Sequence, residues 1–171
     1  MAYFEDLTPY RYSVGGAITK EFPGALNIGW LDREHPFSTS TESPDSQLLR
    51  RLLAHTALYV CMMRGYHRCH FCPGAPEDGA RLSLRIGDHE LSLDNGEVLV
   101  VGSDGQAFRA PVMLYHYITE HHYRPPEIFW EALRESVPSV GEQVEAMAYT
   151  RDPSARQERL AWAERLLQSV G

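Results

Sequence analysis

Arg81-Leu82-Ser83-Leu84-Arg85-Ile86, Gly87-Asp88, His89-Glu90-Leu91-Ser92-Leu93, Asp94-Asn95-Gly96, Glu97-Val98-Leu99-Val100-Val101 and Gly102-Ser103-Asp104-Gly105-Gln106-Ala107-Phe108-Arg109 follow one another without interruption. The apolar side chains recur with a period of two, which puts them on one face of a strand. The dipeptides Gly87-Asp88, Asn95-Gly96 and Asp104-Gly105 cut the run at turn positions, and Asn-Gly is the pair that tight hairpins favour. The expected structure is an antiparallel meander with strands at Arg81–Ile86, His89–Leu93, Glu97–Val101 and Gln106–Arg109. A fifth strand is expected at Ala25–Leu31, bounded by Pro23-Gly24 and Asp32 and preceded by an irregular aromatic arm.

Outward from the meander the period changes to helical. Ser43-Pro44-Asp45 offers a hydroxyl N-cap, a proline at the first helical position and an acid at the positive end of the dipole. A helix is expected from about Pro44 to Arg64. Its stripe is Leu48, Leu49, Leu52, Leu53, Thr56, Tyr59, Val60 and Met63, Gly65 is its stop, and Cys61 is a small core residue. After Ala110-Pro111, Val112, Leu114, Tyr115 and Ile118 read as helix up to the Pro125-Pro126 break. Ile128, Phe129, Trp130 and Leu133 mark another over Pro126–Ser136. Beyond Pro138, two further helices are expected at about Val140–Tyr149 and Ser154–Val170. Trp162, Leu166 and Val170 give the last a narrow apolar edge for docking on the domain or on a second chain. The fold class is α+β: a four- to five-stranded meander packed by helices, with residues 1–137 as the domain and 138–171 as a helical extension.

The chain has 171 residues, 43% of them hydrophobic and 23% charged, which is enough for one core and too little for two full domains. Sixteen basic against 23 acidic side chains give a net charge of -7, so the overall field repels polyanions and nucleic acid is not an expected partner. Tyr3, Phe4, Tyr10, Tyr12, Trp30 and Phe37 are accordingly read as a cover on a sheet edge rather than as a base-stacking surface. No apolar run reaches the roughly 18 residues of a membrane span. The acidic start Met1-Ala2-Tyr3-Phe4-Glu5-Asp6 lacks a signal-peptide h-region, and a cytoplasmic protein is expected. Three cysteines, two of them at Cys69-His70-Phe71-Cys72, do not make a secreted disulfide framework.

That knuckle carries the chemistry. Cys-x-x-Cys forms a tight turn that aims two thiolates at one ion, and His116-Tyr117-Ile118-Thr119-Glu120-His121 supplies two imidazoles at a spacing found in zinc sites. On an ideal helix His116 and His121 lie about 140° apart, at roughly 100° per residue, so convergence requires the last turn to loosen. The expected ligands are Cys69, Cys72, His116 and His121, with His67 competing for a place; His70 and His122 rank lower. The gap of 43 residues between Cys72 and His116 suits a zinc ion that stitches a loop to the domain, not an autonomous finger.

Three alternatives stand beside this. A zinc hydrolase would leave one coordination position to water, with Glu120 as general base or with Glu77 or Asp78 approaching from the loop. A redox pair would place its nucleophilic cysteine at a helix N-terminus, whereas Cys69 follows a helix end. A zinc deaminase would show His-x-Glu ahead of Pro-Cys-x-x-Cys; here His89-Glu90 comes after the cysteines and no proline precedes Cys69.

Tyr3-Phe4-Glu5-Asp6-Leu7-Thr8-Pro9-Tyr10, Asn27-Ile28-Gly29-Trp30-Leu31, His35-Pro36-Phe37, Arg64-Gly65-Tyr66-His67-Arg68-Cys69-His70-Phe71-Cys72, Ala110-Pro111, His116-Tyr117-Ile118 and His121-His122-Tyr123-Arg124-Pro125-Pro126-Glu127 occur in this order. Together they resemble an uncharacterised family of bacterial proteins carried as a domain of unknown function, over about residues 1–135. The resemblance implies that His67, Cys69, Cys72, His116 and His121 are the family's Cys/His set, and it brings no activity with it. The expectation is a small acidic zinc-binding protein whose metal is structural. It would act by binding another protein as an adaptor or immunity-like factor, and could self-associate through its C-terminal helices.

Overall fold

A computed structural model describes residues 3–12, 22–61, 65–75, 77–136 and 153–168. Among these the chain order is β1 (Leu26–Asn27), α1 (Ser46–Ala57), β2 (Ser83–Ile86), β3 (His89–Ser92), β4 (Glu97–Val101), β5 (Ala107–Pro111), α2 (Leu114–Glu120), α3 (Glu127–Glu135) and α4 (Pro153–Gln168). The class is α+β. The expected helix at Val140–Tyr149, the 137/138 boundary and Val170 lie outside the described residues.

The alternating run forms all four of its strands, yet it is not one meander. β2 and β3 make a separate two-stranded sheet, while β4 pairs antiparallel with β5, whose other edge takes β1 in parallel, giving the order β1-β5-β4. The break has a local cause at Glu97. Its N–H donates to the Val60 carbonyl at 2.8 Å and its carbonyl accepts from the Val60 N–H at 2.7 Å, so the start of the β4 edge that β3 would need is already paired. Asn95-Gly96 is therefore a crossing between sheets and not a hairpin turn. Gly96 has φ 113°, and a Cβ there would lie 2.6 Å from Cδ2 of Tyr59.

The same pairing shortens the first helix. α1 ends at Ala57, seven residues before Arg64, because Leu58 and Tyr59 turn back on His55 and Thr56 and Val60 then runs extended beside Glu97. A β-branched residue whose backbone bonds are met by a strand has no reason to stay helical. Cys61 thus lies after the helix, half-buried at φ 50°, where its sulfur accepts from Nη2 of Arg109 at 3.2 Å. The helix start is displaced as well: Asp45, not Ser43, is the N-cap, its Oδ1 accepting from the Gln47 N–H at 2.8 Å. The stripe itself is as the period requires, with Leu48, Leu52, Leu53 and Thr56 buried.

The main core lies between the three-stranded sheet and the helices, built from Ile28, Leu52, Val98, Val100, Phe108, Met113, Leu114, Phe129 and Leu133. Each such side chain contributes roughly 1.5–3 kcal/mol on leaving water. The expected strand at Ala25–Leu31 pairs over Leu26–Asn27 and is then turned by Gly29 at φ 66°, where a Cβ would meet Leu114 Cδ1 at 2.6 Å. Trp30 is fully buried and donates its indole N–H to the Arg109 carbonyl at 3.1 Å. Phe4 and Tyr12 pack on it with ring centroids at 5.7 and 5.2 Å, so the aromatic arm covers the sheet. A second cluster joins Leu53, Ala54 and Ala57 of α1 and Leu91 and Leu93 to Trp162, Ala163 and Leu166 of α4. The apolar edge of the C-terminal helix is thereby buried within its own chain.

Candidate metal centre

Two segments far apart in sequence supply the centre. The first is the knuckle after residue 65. Cys69 is tied by a two-way backbone bridge to Ala80, its N–H to the Ala80 carbonyl at 3.1 Å and the reverse bond at 3.0 Å, which holds its side chain fully buried. The turn continues with the Ala75 N–H on the Cys72 carbonyl at 3.2 Å. Outside the knuckle, Arg33 Nε donates to the His70 carbonyl at 2.6 Å and Arg68 pairs with Asp78 at 2.9 Å.

The second segment is the end of α2. His116 lies within the helix, and the helix then loosens as the spacing demanded: His121 is the C-cap at φ -116° and His122 is left-handed at φ 55°. The His121 and Tyr123 N–H groups both return to the Tyr117 carbonyl, at 3.2 and 3.0 Å. His121 therefore swings back onto the face of His116, their rings edge to face at 4.8 Å.

The donor atoms of Cys69, Cys72, His116 and His121 all lie within 4.8 Å of one another. Cys69 Sγ is 3.2 Å from His121 Nε2, Cys72 Sγ is 3.3 Å from His116 Nε2 and 3.6 Å from His121 Nε2, and the two Nε2 atoms are 3.1 Å apart. An ion about 2.0–2.3 Å from each donor, as in tetrahedral Cys/His sites, implies donor–donor edges of roughly 3.3–3.8 Å. The four separations, from 3.1 to 3.6 Å, lie in or just below that range, so the four side chains could hold such an ion. Phe71 shields one flank, its ring 5.5 Å from that of His121 and 5.8 Å from that of Tyr117.

Burial sets the electrostatics of the cluster. Burial, then the neighbouring Cys69 thiol, pushes the Cys72 thiol up to about 11. Burial, then the His121 imidazole, takes His116 down to about 4, and burial also lowers His121. By themselves Cys72, His116 and His121 are thereby biased toward their neutral forms. A dication reverses the balance for the thiols, so binding expels protons from sulfur and is pH-dependent.

The other candidates are elsewhere. His67 is buried with its ring 5.5 Å from that of Trp30 and its N–H on the Asp94 carbonyl, and it is not one of the four convergent residues. Glu120 is exposed at the end of α2, beside His121, while Glu77 and Asp78 are exposed on the loop. One polar anchor escaped the sequence reading. Asp6 accepts from the Gly29 N–H and from the Tyr123 hydroxyl, each at 2.8 Å, which fastens the N-terminal arm two residues beyond His121. An acid in an irregular arm carries no periodic signal, and only Tyr123, placed just past His116 and His121, could have pointed to it.

A fold of this class with four convergent Cys/His donors defines an α+β domain with a potential metal centre. The family described as Domain of unknown function (DUF7919) matches residues 2–134, and the chain belongs to it. No curated protein and no solved structure matches the chain at a significant level. Among the described residues no helix is long and apolar enough to cross a membrane.

Proposed function

We propose that the protein is a cytoplasmic zinc protein in which the metal is structural, acting as a protein-binding factor of the adaptor or immunity type. The observation that carries the zinc reading is the convergence of two thiols and two imidazoles, a tetrahedral donor set that suits zinc among the available dications. With four protein donors in reach, no position is kept for water. A hydrolytic centre with Glu120 as base needs such a position, and this favours the structural reading over it. Bound there, zinc would supply the attraction that holds two thiolates against two imidazoles. Cys69 and Cys72 would anchor the loop, His116 and His121 the end of α2.

The protein-binding part rests on charge. A net charge of -7 on a small domain favours a partner with a basic surface, through faster encounter and charge complementarity. The test begins with elemental analysis of the purified chain and of Cys69→Ser and His121→Ala. One zinc per chain, lost in both variants together with thermal stability, is the expected result; a metal-free wild type would remove the reading. Affinity capture at moderate salt then follows, where a single stoichiometric basic partner whose retention falls with salt is expected.

A further inference from the structure

One cavity lies beside the candidate metal centre rather than at it. A cleft of about 240 Å³ opens between the loop that leads into α1 and the segment that joins α2 to α3. Its floor is apolar: Ile118 and Tyr123 are 2% exposed and Trp130 9%. The loop side is acidic and the other side is mixed. Ser40, Glu42, Ser43 and Asp45 form the loop side, and His122, Arg124, Glu127 and Arg134 the other. The walls are held in place by backbone bonds below the cleft, from the Ser40 N–H to the His122 carbonyl at 2.9 Å and from the Arg124 N–H to the Ser38 carbonyl at 2.8 Å.

Most of the charges are already used. Asp45 caps α1, and Arg134 lies 3.4 Å from Glu127 on its own helix. Glu42 and Arg124 are not used: among the described residues neither side chain has a hydrogen-bond or ion-pair partner, and no ion pair crosses the cleft. A carboxylate and a guanidinium thus face one cleft from opposite sides over an indole floor without neutralising each other. The ligand that satisfies both is a small zwitterion with an apolar portion. Pockets for drug-sized ligands start near ~300 Å³, so this one suits a smaller solute.

We infer that this cleft is a binding site for a free α-amino acid, its ammonium toward Glu42, its carboxylate toward Arg124 and its side chain on Trp130 and Ile118. Guanidinium pairs with carboxylate in a fixed fork, which gives orientation as well as attraction. The site is separate from the metal ligands, and the inference holds whether or not the ion is zinc.

The experiment is an NMR titration of the full-length, metal-replete chain, following the Trp130 indole N–H, with each proteinogenic α-amino acid in turn. At least one is expected to shift that signal saturably. Its N-acetyl and its carboxamide derivatives, each lacking one charge, should bind at least about tenfold more weakly, as should Glu42→Gln and Arg124→Gln with the free amino acid. Both substituted side chains are exposed, so metal content and thermal stability should match the wild type. Should either variant fail to fold, the two blocked derivatives on the wild-type chain carry the same test. No saturable shift from any amino acid would overturn the inference, and so would equal binding by the blocked derivatives or by the two folded variants.

Discussion

Glu97 and Arg109 form an ion pair with both side chains fully buried, the Tyr10 hydroxyl adding a bond to Glu97 Oε1 at 2.8 Å and the guanidinium lying 4.4 Å from the centre of the Tyr10 ring. Burial raises the Glu97 carboxyl above its ordinary range, against the pull of Arg109. Removing one partner leaves an uncompensated buried charge, so Arg109→Met should cost about 3–5 kcal/mol in urea unfolding. Replacing both, as Glu97→Leu with Arg109→Met, should cost far less. A second buried group sets a pH dependence. His55 has Nδ1 3.0 Å from the Leu99 carbonyl and Nε2 2.8 Å from Ser136 Oγ, and burial takes it from 6.5 down to about 4. The unfolded chain then binds the proton more readily than the folded one. Stability from this residue is complete above about pH 6.5, falls as pH drops towards 4, and amounts to on the order of 3 kcal/mol. Unfolding of wild type and His55→Gln at a series of pH values should show that slope only in the wild type. At this scale the sequence was most legible for the four convergent Cys/His donors and least for these buried charges. Cys69, Cys72, His116 and His121 announce themselves by type and spacing, whereas a Glu and an Arg on alternating strands read as surface until the Val60 strand and the Tyr10 arm are seen to cover them.

Among the elements, the junction of α1, β3 and β4 is where local signals and the structure part. Asn95-Gly96 has the composition of a hairpin turn, and its neighbours have strand periodicity, so a meander is the natural reading. What decides against it is Val60, some thirty-five residues upstream, which takes the edge of β4 at Glu97 and lets β3 pair only with β2. Gly96 serves this packing by letting the Tyr59 ring approach. Gly96→Ala should therefore destabilise by more than about 2 kcal/mol, from both the clash and the left-handed φ, while Gly87→Ala, at φ 59° with nothing within 4 Å, should cost only about 1 kcal/mol. Denaturant midpoints of the two variants provide the comparison. By contrast α2 behaves as its sequence says. The helix stops at Glu120, and the aromatic and proline residues that follow let it loosen just where two imidazoles must converge.

For the molecule as a whole, the proposed metal centre would add a second tie between the knuckle and the end of α2, which the main core already joins through Cys69, Phe71, Tyr117 and Tyr123. The knuckle over residues 65–75 has no helix or strand of its own, and its Cys–His contacts reach the end of α2. From there Tyr123 reaches Asp6 and the N-terminal arm. Chelation should raise amide hydrogen exchange together in residues 65–80, 114–124 and 4–8, and leave β4 and β5 protected, since their ladder does not depend on the ion. An increase confined to the knuckle would show that the fastening stops at the loop. The sequence by itself determined the α+β class, the existence of the strands, the buried stripe of α1 and the four Cys/His donors that converge, because periodicity, caps and donor spacing act within a few residues of chain. Only the tertiary structure decided how the strands divide between two sheets, where α1 ends, that His67 belongs to Trp30 and not to the metal centre, and that the edge of α4 is buried in its own chain. Each of these depends on which distant segment reaches a shared edge or cavity first. A backbone edge pairs once and a cavity fills once, and that competition is written in three dimensions rather than along the chain.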